Sequence, residues 1–360
     1  MKIEVVLGKL IPTDNRIRAG IAGLGRSGWN IHANILEKLS DKYEIVAVSD
    51  PIEERRKEAA TRFGCRTYSD FEGLAKDREV ELIIVATPSY LHASHTILAL
   101  KSGKNVVCEK PMAANLSEAN AMIEASKKTG NILTVFHNSL FAPDYLKVKE
   151  VIRSGKLGRI VLIKIYKHVF SRRWDWQTLR KFGGGELRNN AVHSIVQGLQ
   201  ILGDKEPEVF CDLQRTLTLG DAEDHVKILL KAPNSPLIDI EVTRACAYPQ
   251  NKWLVMGTQG GLTGTFNSLK WKYFDPEALP PRMLKIEPTP DRSYNFDKYI
   301  PWREETWSLS EDYSSSGVIF YRELYNALRY KAPPPVPPNL AYRVMQIVEK
   351  CYEKCAMIFQ

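Results

Sequence analysis

The sequence of 360 residues predicts an α/β protein, with an N-terminal domain on a parallel sheet and a C-terminal α+β domain with an open, mainly antiparallel sheet. From residue 16 onward, short apolar runs alternate with longer segments of helical periodicity, as in βαβ units. After about residue 150, apolar and polar residues alternate within closely spaced runs, which is typical of antiparallel strands. This change divides the chain into domains 1–140 and 141–338, and a last helix within 339–360 is expected to pack back on the first domain.

The N-terminal half contains five short apolar runs, which predict strands over residues 17–22, 43–49, 82–86, 105–108 and 132–136. The segments between them have helical spacing and predict helices over residues 25–40, 53–63, 92–102 and 116–129. Residues 1–15 precede this scheme, and the sequence leaves open whether they form an extra strand or a loose arm.

The C-terminal half predicts strands over residues 160–169, 209–219, 225–231 and 237–245. Residues 275–315, rich in proline, charge and aromatic side chains, are predicted to form a long surface excursion. A helix over 318–329, a stiff proline-rich connector over 333–338 and an amphipathic helix over 340–357 complete the chain. Because helices would cover one face of the sheet only, we expect a homo-oligomer, a dimer or tetramer, to cover the other.

The composition indicates a globular protein of the cytoplasm. Hydrophobic residues make up 44% of the chain and charged residues 26%, both near the average for soluble domains. No apolar run approaches the ~18 residues of a membrane span, and the N-terminus has no secretory pattern. The six cysteines form no Cys-x-x-Cys pair, so no metal site is expected. Cys351 and Cys355, four residues apart on a predicted helix, are interpreted as packing residues.

The net charge of +8 is not accompanied by any nucleic-acid recognition motif, and we expect no nucleic-acid partner. The charge is concentrated in residues 153–188, where ten basic residues face only Asp175 and Glu186. This stretch is interpreted either as a solvated sheet face or as an electropositive rim that attracts an acidic substrate, with nucleic acid a weaker third alternative.

A glycine-rich turn follows the first predicted strand and opens the first helix. Gly23, Gly25 and Gly28 have the spacing in which the first glycine makes the turn, the second admits a pyrophosphate and the third lets the helix pack closely. The N–H groups at the start of the helix, including those of Arg26 and Ser27, would bind the phosphates where the helix dipole is positive. The turn predicts a dinucleotide site.

An aspartate at the end of the second strand supports this interpretation. Asp50 lies 22 residues beyond Gly28, close to the ~20 expected for a carboxylate that binds the ribose hydroxyls. Such a carboxylate repels a 2′-phosphate, so NAD is favoured over NADP as cofactor. Arg55 and Arg56 lie nearby and could soften the preference, although on a helix they are ordinarily solvated charges.

Further motifs add a family resemblance. The segments Ala86-Thr87-Pro88 to His92 and Glu109-Lys110-Pro111, and the glycines 183–185 followed by His193, closely resemble the glucose–fructose oxidoreductase, inositol dehydrogenase and rhizopine catabolism (Gfo/Idh/MocA) family. The resemblance runs from about residue 16 to the end and implies a Rossmann domain followed by an open-sheet domain, with substrate between them. It also implies that Thr87, Pro88, His92, Glu109 and Lys110 lie at the cofactor.

The resemblance implies roles for two catalytic residues. Lys110 would bind the reacting oxygen, where an ammonium stabilises developing negative charge, and the bond before Pro111 is expected to be cis. His193 would be the general base for alcohol oxidation, kept neutral near a helix N-terminus. The family's aspartate four residues earlier is here Asn189, which can bind a hydroxyl but cannot act as a base. This departure shifts the acid–base chemistry to His193 and Lys110.

The substrate wall also departs from the family, because Ser139-Leu140 follows Asn138 where arginine is common. Asn138 and Asn189 are predicted substrate contacts, together with Arg173 and Trp174 in the Arg-Arg-Trp-Asp-Trp run, whose rings and guanidinium groups suit a sugar. Additional candidates for the pocket are His137, His168, Asp175 and Trp176. The same run is equally compatible with a purely structural loop.

The resemblance and motifs together predict an NAD-dependent oxidoreductase that transfers hydride between nicotinamide and a secondary hydroxyl of a sugar, cyclitol or sugar acid. A first alternative keeps NAD tightly bound and uses transient oxidation to epimerise a sugar or cleave a glycoside. A second is a non-catalytic dinucleotide-binding regulator, which Asn189 favours and which Lys110 and His193 oppose.

Overall fold

The computed structural model describes residues 15–310 and 313–356 and contains two sheets. The two interpretations of residues 1–15 fall almost entirely outside this range. No helix of the described residues is both long and apolar enough to cross a membrane.

The first sheet is parallel, with six strands in the order β3-β2-β1-β4-β5-β6. Its strands are β1 (Ile17–Ala22), β2 (Tyr43–Ser49), β3 (Arg66–Tyr68), β4 (Leu82–Val85), β5 (Asn105–Cys108) and β6 (Leu133–Val135). The interleaved helices are α1 (Asn34–Lys38), α2 (Glu53–Phe63), α3 (Phe71–Lys76), α4 (His92–Lys101) and α5 (Leu116–Thr129). Because every strand except β3 is fully or largely buried, the sequence signal is a continuous apolar run.

The sequence predicts one helix over residues 25–40, after the glycine turn. The structure differs, because this segment is not one regular α-helix. A π-helical segment, Arg26–Ala33, comes first and continues into α1. Such wide turns are frequently found at functional sites. β3 and α3 are absent from the predicted set because β3 has only three residues and presents Arg66 and Thr67 to solvent, so it carries no apolar run.

The second sheet has eight strands in the order β14-β13-β12-β11-β7-β10-β9-β8, and only the β7–β10 pair is parallel. The strands are β7 (Ile160–His168), β8 (Glu208–Gln214), β9 (His225–Lys231), β10 (Leu237–Thr243), β11 (Trp253–Gly257), β12 (Gly260–Gly264), β13 (Ser268–Tyr273) and β14 (Arg303–Ser308). The helices of this half are α6 (Pro143–Arg153), α7 (Val192–Leu202), α8 (Ser316–Tyr330) and α9 (Pro338–Lys354). The predicted α/β class with a mainly antiparallel second sheet is confirmed.

The segment predicted as a surface excursion over 275–315 requires a correction. Its last part forms β14, which pairs antiparallel with β13 as the edge of the sheet. The strand alternates half-buried Glu305 and Trp307 with exposed neighbours. Its charged composition conceals this alternation, and charge is usual on an exposed edge strand.

Helices cover one face of the second sheet. α7 lies on β10, where the backbone of Gly198 approaches so closely that a Cβ atom would stand 3.0 Å from Cγ2 of Ile238. α9 contacts α5 beside the first sheet and also α7 and β8 of the second. Cys351 and Cys355 of α9 are buried, and the Cys355 sulfur lies 3.6 Å from that of Cys211 on β8. The face opposite the helices exposes apolar side chains such as Met256.

Candidate active site

The glycine turn has the backbone geometry that its spacing predicts. Gly23 has a φ of +87°, and a Cβ atom there would lie 2.7 Å from the Ala86 carbonyl oxygen. A Cβ atom on Gly28 would lie 1.8 Å from the carbonyl oxygen of Gly23, so the helix can approach the strand only without a side chain. No atom lies within 4 Å of the position that a Cβ atom on Gly25 would occupy. The space beside Gly25 and the free N–H groups of the first helical turn fit a pyrophosphate.

Asp50 lies where β2 ends, and its carboxylate holds the glycine turn. One oxygen, Oδ2, accepts a hydrogen bond of 2.7 Å from the Leu24 N–H, while Oδ1 accepts one of 2.9 Å from the Ile52 N–H. The Arg55 guanidinium lies 3.4 Å from Oδ2. The side chain is only 3% exposed, so Asp50 is fixed where a ribose would bind, with Arg55 at its edge.

A cleft of about 720 Å³ opens between the carboxyl edge of the first sheet and the segment of residues 173–189. It brings together twelve of the predicted site residues: Gly23, Gly25, Arg26, Ser27, Asp50, Thr87, Pro88, His92, Glu109, Lys110, Arg173 and Asn189. Gly28 packs beneath the turn, and Asn138, Trp174 and His193 are not among the lining residues. The cleft is long enough to join the glycine turn to Lys110, as an extended dinucleotide requires.

Lys110 faces Asn189 across the cleft. Its ammonium donates to the backbone oxygen of Asn189 at 2.9 Å and lies 3.4 Å from the amide oxygen Oδ1. The Lys110–Pro111 bond is cis, as the resemblance implies. Burial lowers the pKa of Lys110, and the neighbouring Glu109 carboxylate opposes that effect. A lysine in this state can both stabilise negative charge and exchange a proton.

Behind Lys110, Glu109 belongs to a buried hydrogen-bonded chain. Its Oε1 lies 3.1 Å from Nε2 of His32, whose Nδ1 lies 2.7 Å from the hydroxyl of Tyr321 on α8. Both contacts are satisfied when Nε2 donates to the carboxylate and Nδ1 accepts from the phenol. Burial favours the neutral acid, but the hydrogen bond from His32 and the charge of Lys110 lower the pKa of Glu109 to about 2.

Sequence reasoning missed His32 and Tyr321. His32 lies seven residues beyond Gly25 on the inward face of the first helical segment, and Tyr321 lies 289 residues farther along the chain. A buried histidine is ordinarily a packing residue, so the sequence carried no signal for this chain of contacts. Its geometry ties the glycine segment, the Lys110 loop and α8 together.

His92 is the first residue of α4, and its two ring nitrogens lie within hydrogen-bond distance of two backbone carbonyl oxygens, to one of which a neutral imidazole donates. Its Nδ1 lies 2.8 Å from the Pro111 oxygen, and Nε2 lies 2.9 Å from the Thr87 oxygen. The ring therefore joins the loop of Lys110 to the loop after β4. Both loops line the cleft, so His92 fixes the distance between two of its walls.

His193 is the second residue of α7, one helical turn beyond Asn189. Its Nδ1 atom is enclosed and has no hydrogen-bond partner among the described residues. Burial lowers the pKa of His193 well below 6.5, and the charge of Lys110 acts in the same direction. The ring is thus neutral at physiological pH. The Nδ1 atom of His137 is likewise enclosed without a partner, and burial lowers the pKa of His137 to about 3.

The remaining predicted substrate residues are placed differently from one another. Arg173 lines the cleft, where its guanidinium forms a bidentate pair of 2.8 Å bonds with Asp175. Trp174 points away and is 77% exposed, whereas Trp176 lines the cleft. Asn138 lies beside α8, with its amide 3.5 Å from the Ser316 hydroxyl. His168 faces Glu241 at 3.1 Å and is outside the cleft lining.

One further wall of the cleft was missed by the sequence analysis. Phe71 at the start of α3 stacks on His95 of α4 with ring centroids 4.0 Å apart, and both line the cleft. Burial lowers the pKa of His95 to about 4, so the stacked ring is neutral. The pair forms a flat apolar surface on the Asp50 side, but α3 was not predicted and the stacking could not be anticipated.

Comparison with known proteins matches two family models. Residues 17–137 match the oxidoreductase family with an NAD-binding Rossmann fold, and residues 145–263 match the GFO/IDH/MocA C-terminal domain. Together the two matches span about two thirds of the chain.

Individual proteins that are similar to this chain include three dehydrogenases. Myo-inositol 2-dehydrogenase of Thermotoga maritima is 28% identical over 251 residues, 68% of this chain and 74% of the relative. The NADP⁺-dependent scyllo-inositol 2-dehydrogenase IolW of Bacillus subtilis is 32% identical over 192 residues, 52% of each chain. The WlbA dehydrogenase of Bordetella pertussis, solved with NADH and UDP-GlcNAcA, shares the fold with a TM-score of 0.76 at 23% identity, over 96% of this chain and 97% of that one. The chain therefore belongs to the Gfo/Idh/MocA family of NAD-binding oxidoreductases.

Proposed function

We propose that the protein is an NAD-dependent dehydrogenase that oxidises a secondary hydroxyl of a sugar, cyclitol or sugar acid, or reduces the corresponding ketone. The observation that carries the proposal is the contact of Lys110 with Asn189 across a cleft that also contains the glycine turn. A cation and an amide oxygen thereby meet at the end of the dinucleotide path. Two of the proteins named above are inositol dehydrogenases, and inositols are cyclitols.

Three residues of the protein have separate roles in alcohol oxidation. The ammonium of Lys110 binds the reacting oxygen and stabilises the negative charge that grows as the hydroxyl loses its proton. The neutral imidazole of His193 accepts that proton. Asn189 orients the hydroxyl by hydrogen bonding and holds Lys110 in place. NAD, when bound between the glycine turn and Lys110, supplies the acceptor for the hydride that leaves the carbinol carbon.

Asp50 supports the choice of NAD. Its buried carboxylate lies at the ribose end of the cleft and would repel a 2′-phosphate, while Arg55 at 3.4 Å neutralises part of that charge. We propose that NAD is preferred and that the preference is moderate, since Arg55 is positioned to meet a phosphate.

The first experiment follows absorbance of the reduced nicotinamide during a screen of sugars, cyclitols and uronic acids. Lys110→Met and His193→Asn are each expected to lower kcat/KM by at least about 10²-fold. Matched controls are Lys101→Met on the exposed end of α4 and His225→Asn on β9, which are expected to retain activity. Wild-type turnover in the Lys110 and His193 variants would contradict the proposed site.

The same screen separates the alternative in which NAD stays bound. A dehydrogenase reduces added NAD in proportion to product, whereas an epimerase or glycoside-cleaving enzyme forms product without net reduction. The pH profile supplies a second test, because a general base with a pKa well below 6.5 keeps kcat/KM constant as the pH falls through 6.5. A loss of activity centred near pH 6.5 would argue against His193.

A further inference from the structure

The centre of the second sheet carries basic residues at one end of three neighbouring strands. Lys167 is the penultimate residue of β7, Arg244 follows β10 directly and Lys252 precedes β11 directly. Because β10 runs parallel to β7 and β11 runs antiparallel to it, these positions lie at the same end of the sheet. We call Lys167, Arg244 and Lys252 the basic strand end.

Lys167 lies on the face of the second sheet that the helices cover. Along β7, Ile163 and Ile165 are buried under the helices, and Lys167 is the next residue on that face. Its ammonium donates to the amide oxygen of Asn190. Asn190 directly follows Asn189, which contacts Lys110, so adjacent residues of one helical segment join the basic strand end to the catalytic lysine. Lys167 keeps part of its surface open to solvent although protein atoms crowd its ammonium, and a ligand can therefore reach it.

The positive charges of the basic strand end are only partly neutralised. Arg244 is paired with the buried Glu186 at 2.7 Å, and Lys252 with the buried Asp144 at 2.5 Å. The hydrogen-bond partner of Lys167 is a neutral amide. Burial lowers the pKa of Lys167, and the charges of Arg244, Lys110 and Lys252 add to this effect, with Glu186 the acid that opposes it. A surplus positive charge is thus concentrated on Lys167.

This surplus lies beside the proposed general base. The charges of Lys110, Lys167 and Lys252 all lower the pKa of His193, which lies three residues beyond Asn190, the hydrogen-bond partner of Lys167. Like charges gathered in a partly desolvated site repel one another, and a bound anion relieves that repulsion.

From this geometry we infer that the basic strand end binds an anionic substituent of the substrate, a carboxylate or a phosphate, next to His193. The inference rests on the proposed function and narrows its substrate class to acidic sugars or sugar phosphates. The ammonium of Lys167 makes the decisive contact, and Asn190 keeps it in position. Charge-assisted hydrogen bonds of this kind contribute about 10-fold to 100-fold in affinity.

The test compares neutral and anionic forms of the same sugars. Glucose, galactose and mannose, their uronates and their 6-phosphates are titrated against the NAD-loaded protein, and binding is followed by the shift in Tm and by calorimetry. At least one anionic form is expected to bind about 10-fold or more tightly than its neutral parent. Whether the uronate or the phosphate is favoured identifies the anion. Equal affinity of all three forms, or no binding of any anionic form, would overturn the inference.

Variants of Lys167 assign the effect to the basic strand end. Lys167→Gln is expected to weaken binding of the anionic form about 10-fold to 100-fold and to leave the affinity for the neutral parent nearly unchanged. Lys167→Arg is expected to retain most of the preference for the anionic form. The matched control is Lys164→Gln on the same strand, because Lys164 points to the opposite face, 4.0 Å from Asp239. Equal effects of Lys167→Gln and Lys164→Gln would refute a role for Lys167.

These readouts separate failure of the inference from failure of the proposed function. Binding of a uronate or sugar phosphate that depends on Lys167, without reduction of NAD, would uphold the anion site and refute the dehydrogenase. Oxidation of neutral sugars with no preference for charge would uphold the dehydrogenase and refute the anion site.

Discussion

Replacing Glu109 by glutamine tests whether the buried chain of Glu109, His32 and Tyr321 stabilises the ionised carboxylate. The side chain keeps its shape in Glu109→Gln but loses its charge. A pKa of about 2 in the folded protein, against 4.5 for an ordinary glutamate, corresponds to about 3 kcal/mol of unfolding free energy at about 1.36 kcal/mol per unit. Because the folded pKa is the lower one, this stabilisation is fully present above pH 4.5 and is lost as the pH falls through about 2.

The assay measures the free energy of unfolding in urea at several pH values for wild type and variant. Wild type is expected to be more stable by about 3 kcal/mol at pH 7, and the difference should fall to less than half of that by about pH 3. The control is Glu124→Gln, which removes an exposed ion pair with Lys127. It should lower the free energy of unfolding by at most about 1 kcal/mol. A difference below about 1 kcal/mol at pH 7, or one independent of pH, would refute the reasoning.

Three further predictions address the cofactor turn and the open sheet face. Gly25→Ala is expected to leave the Tm of the cofactor-free protein unchanged and to weaken NAD binding at least about 10-fold, because the added Cβ atom occupies only the space beside the turn. Gly28→Ala should lower the Tm as well, since its Cβ atom would lie 1.8 Å from a carbonyl oxygen; equal Tm values for the two variants would contradict this account. Asp50→Ser is expected to raise the ratio of NADP to NAD affinity about 10-fold or more, measured by calorimetry, and an unchanged ratio would remove Asp50 from cofactor selection. Met256→Glu should reduce the mass determined by light scattering if the open face joins subunits, whereas a monomeric wild type would exclude the predicted oligomer.

Local pattern was sufficient for the buried parallel strands. β1, β2 and β5 are predicted with the bounds that the structure shows, as are α2 and α5. Their residues form unbroken apolar runs or clear helical stripes, and the signal is contained within each element. The predicted strands of the second sheet are also present, with ends that differ by at most five residues.

Strands β11 to β13 were not predicted, for a physical reason that the structure makes clear. All three are short, and β11 and β12 contain four glycines between them, which weaken a strand signal. At Gly260 a Cβ atom would lie 2.2 Å from the Lys272 carbonyl oxygen, so the neighbouring strand leaves no room for a side chain. The glycine that hides the strand in the sequence is thus required by the packing that forms the sheet.

The features of the candidate active site likewise divide into those that the sequence predicts and those that depend on the tertiary structure. The sequence by itself determined the glycine turn and Asp50 from the spacing of their residues, and the Lys110 loop from the family resemblance. Only the tertiary structure decided that Asn189 meets Lys110, that His32 and Tyr321 support Glu109, and that three basic strand ends lie at the same end of the second sheet. The hydrogen bonds of Lys110 with Asn189 and of His32 with Glu109 and Tyr321 join residues 77 to 289 positions apart, and the packing of the two sheets and of α8 sets such distances, which no local pattern encodes.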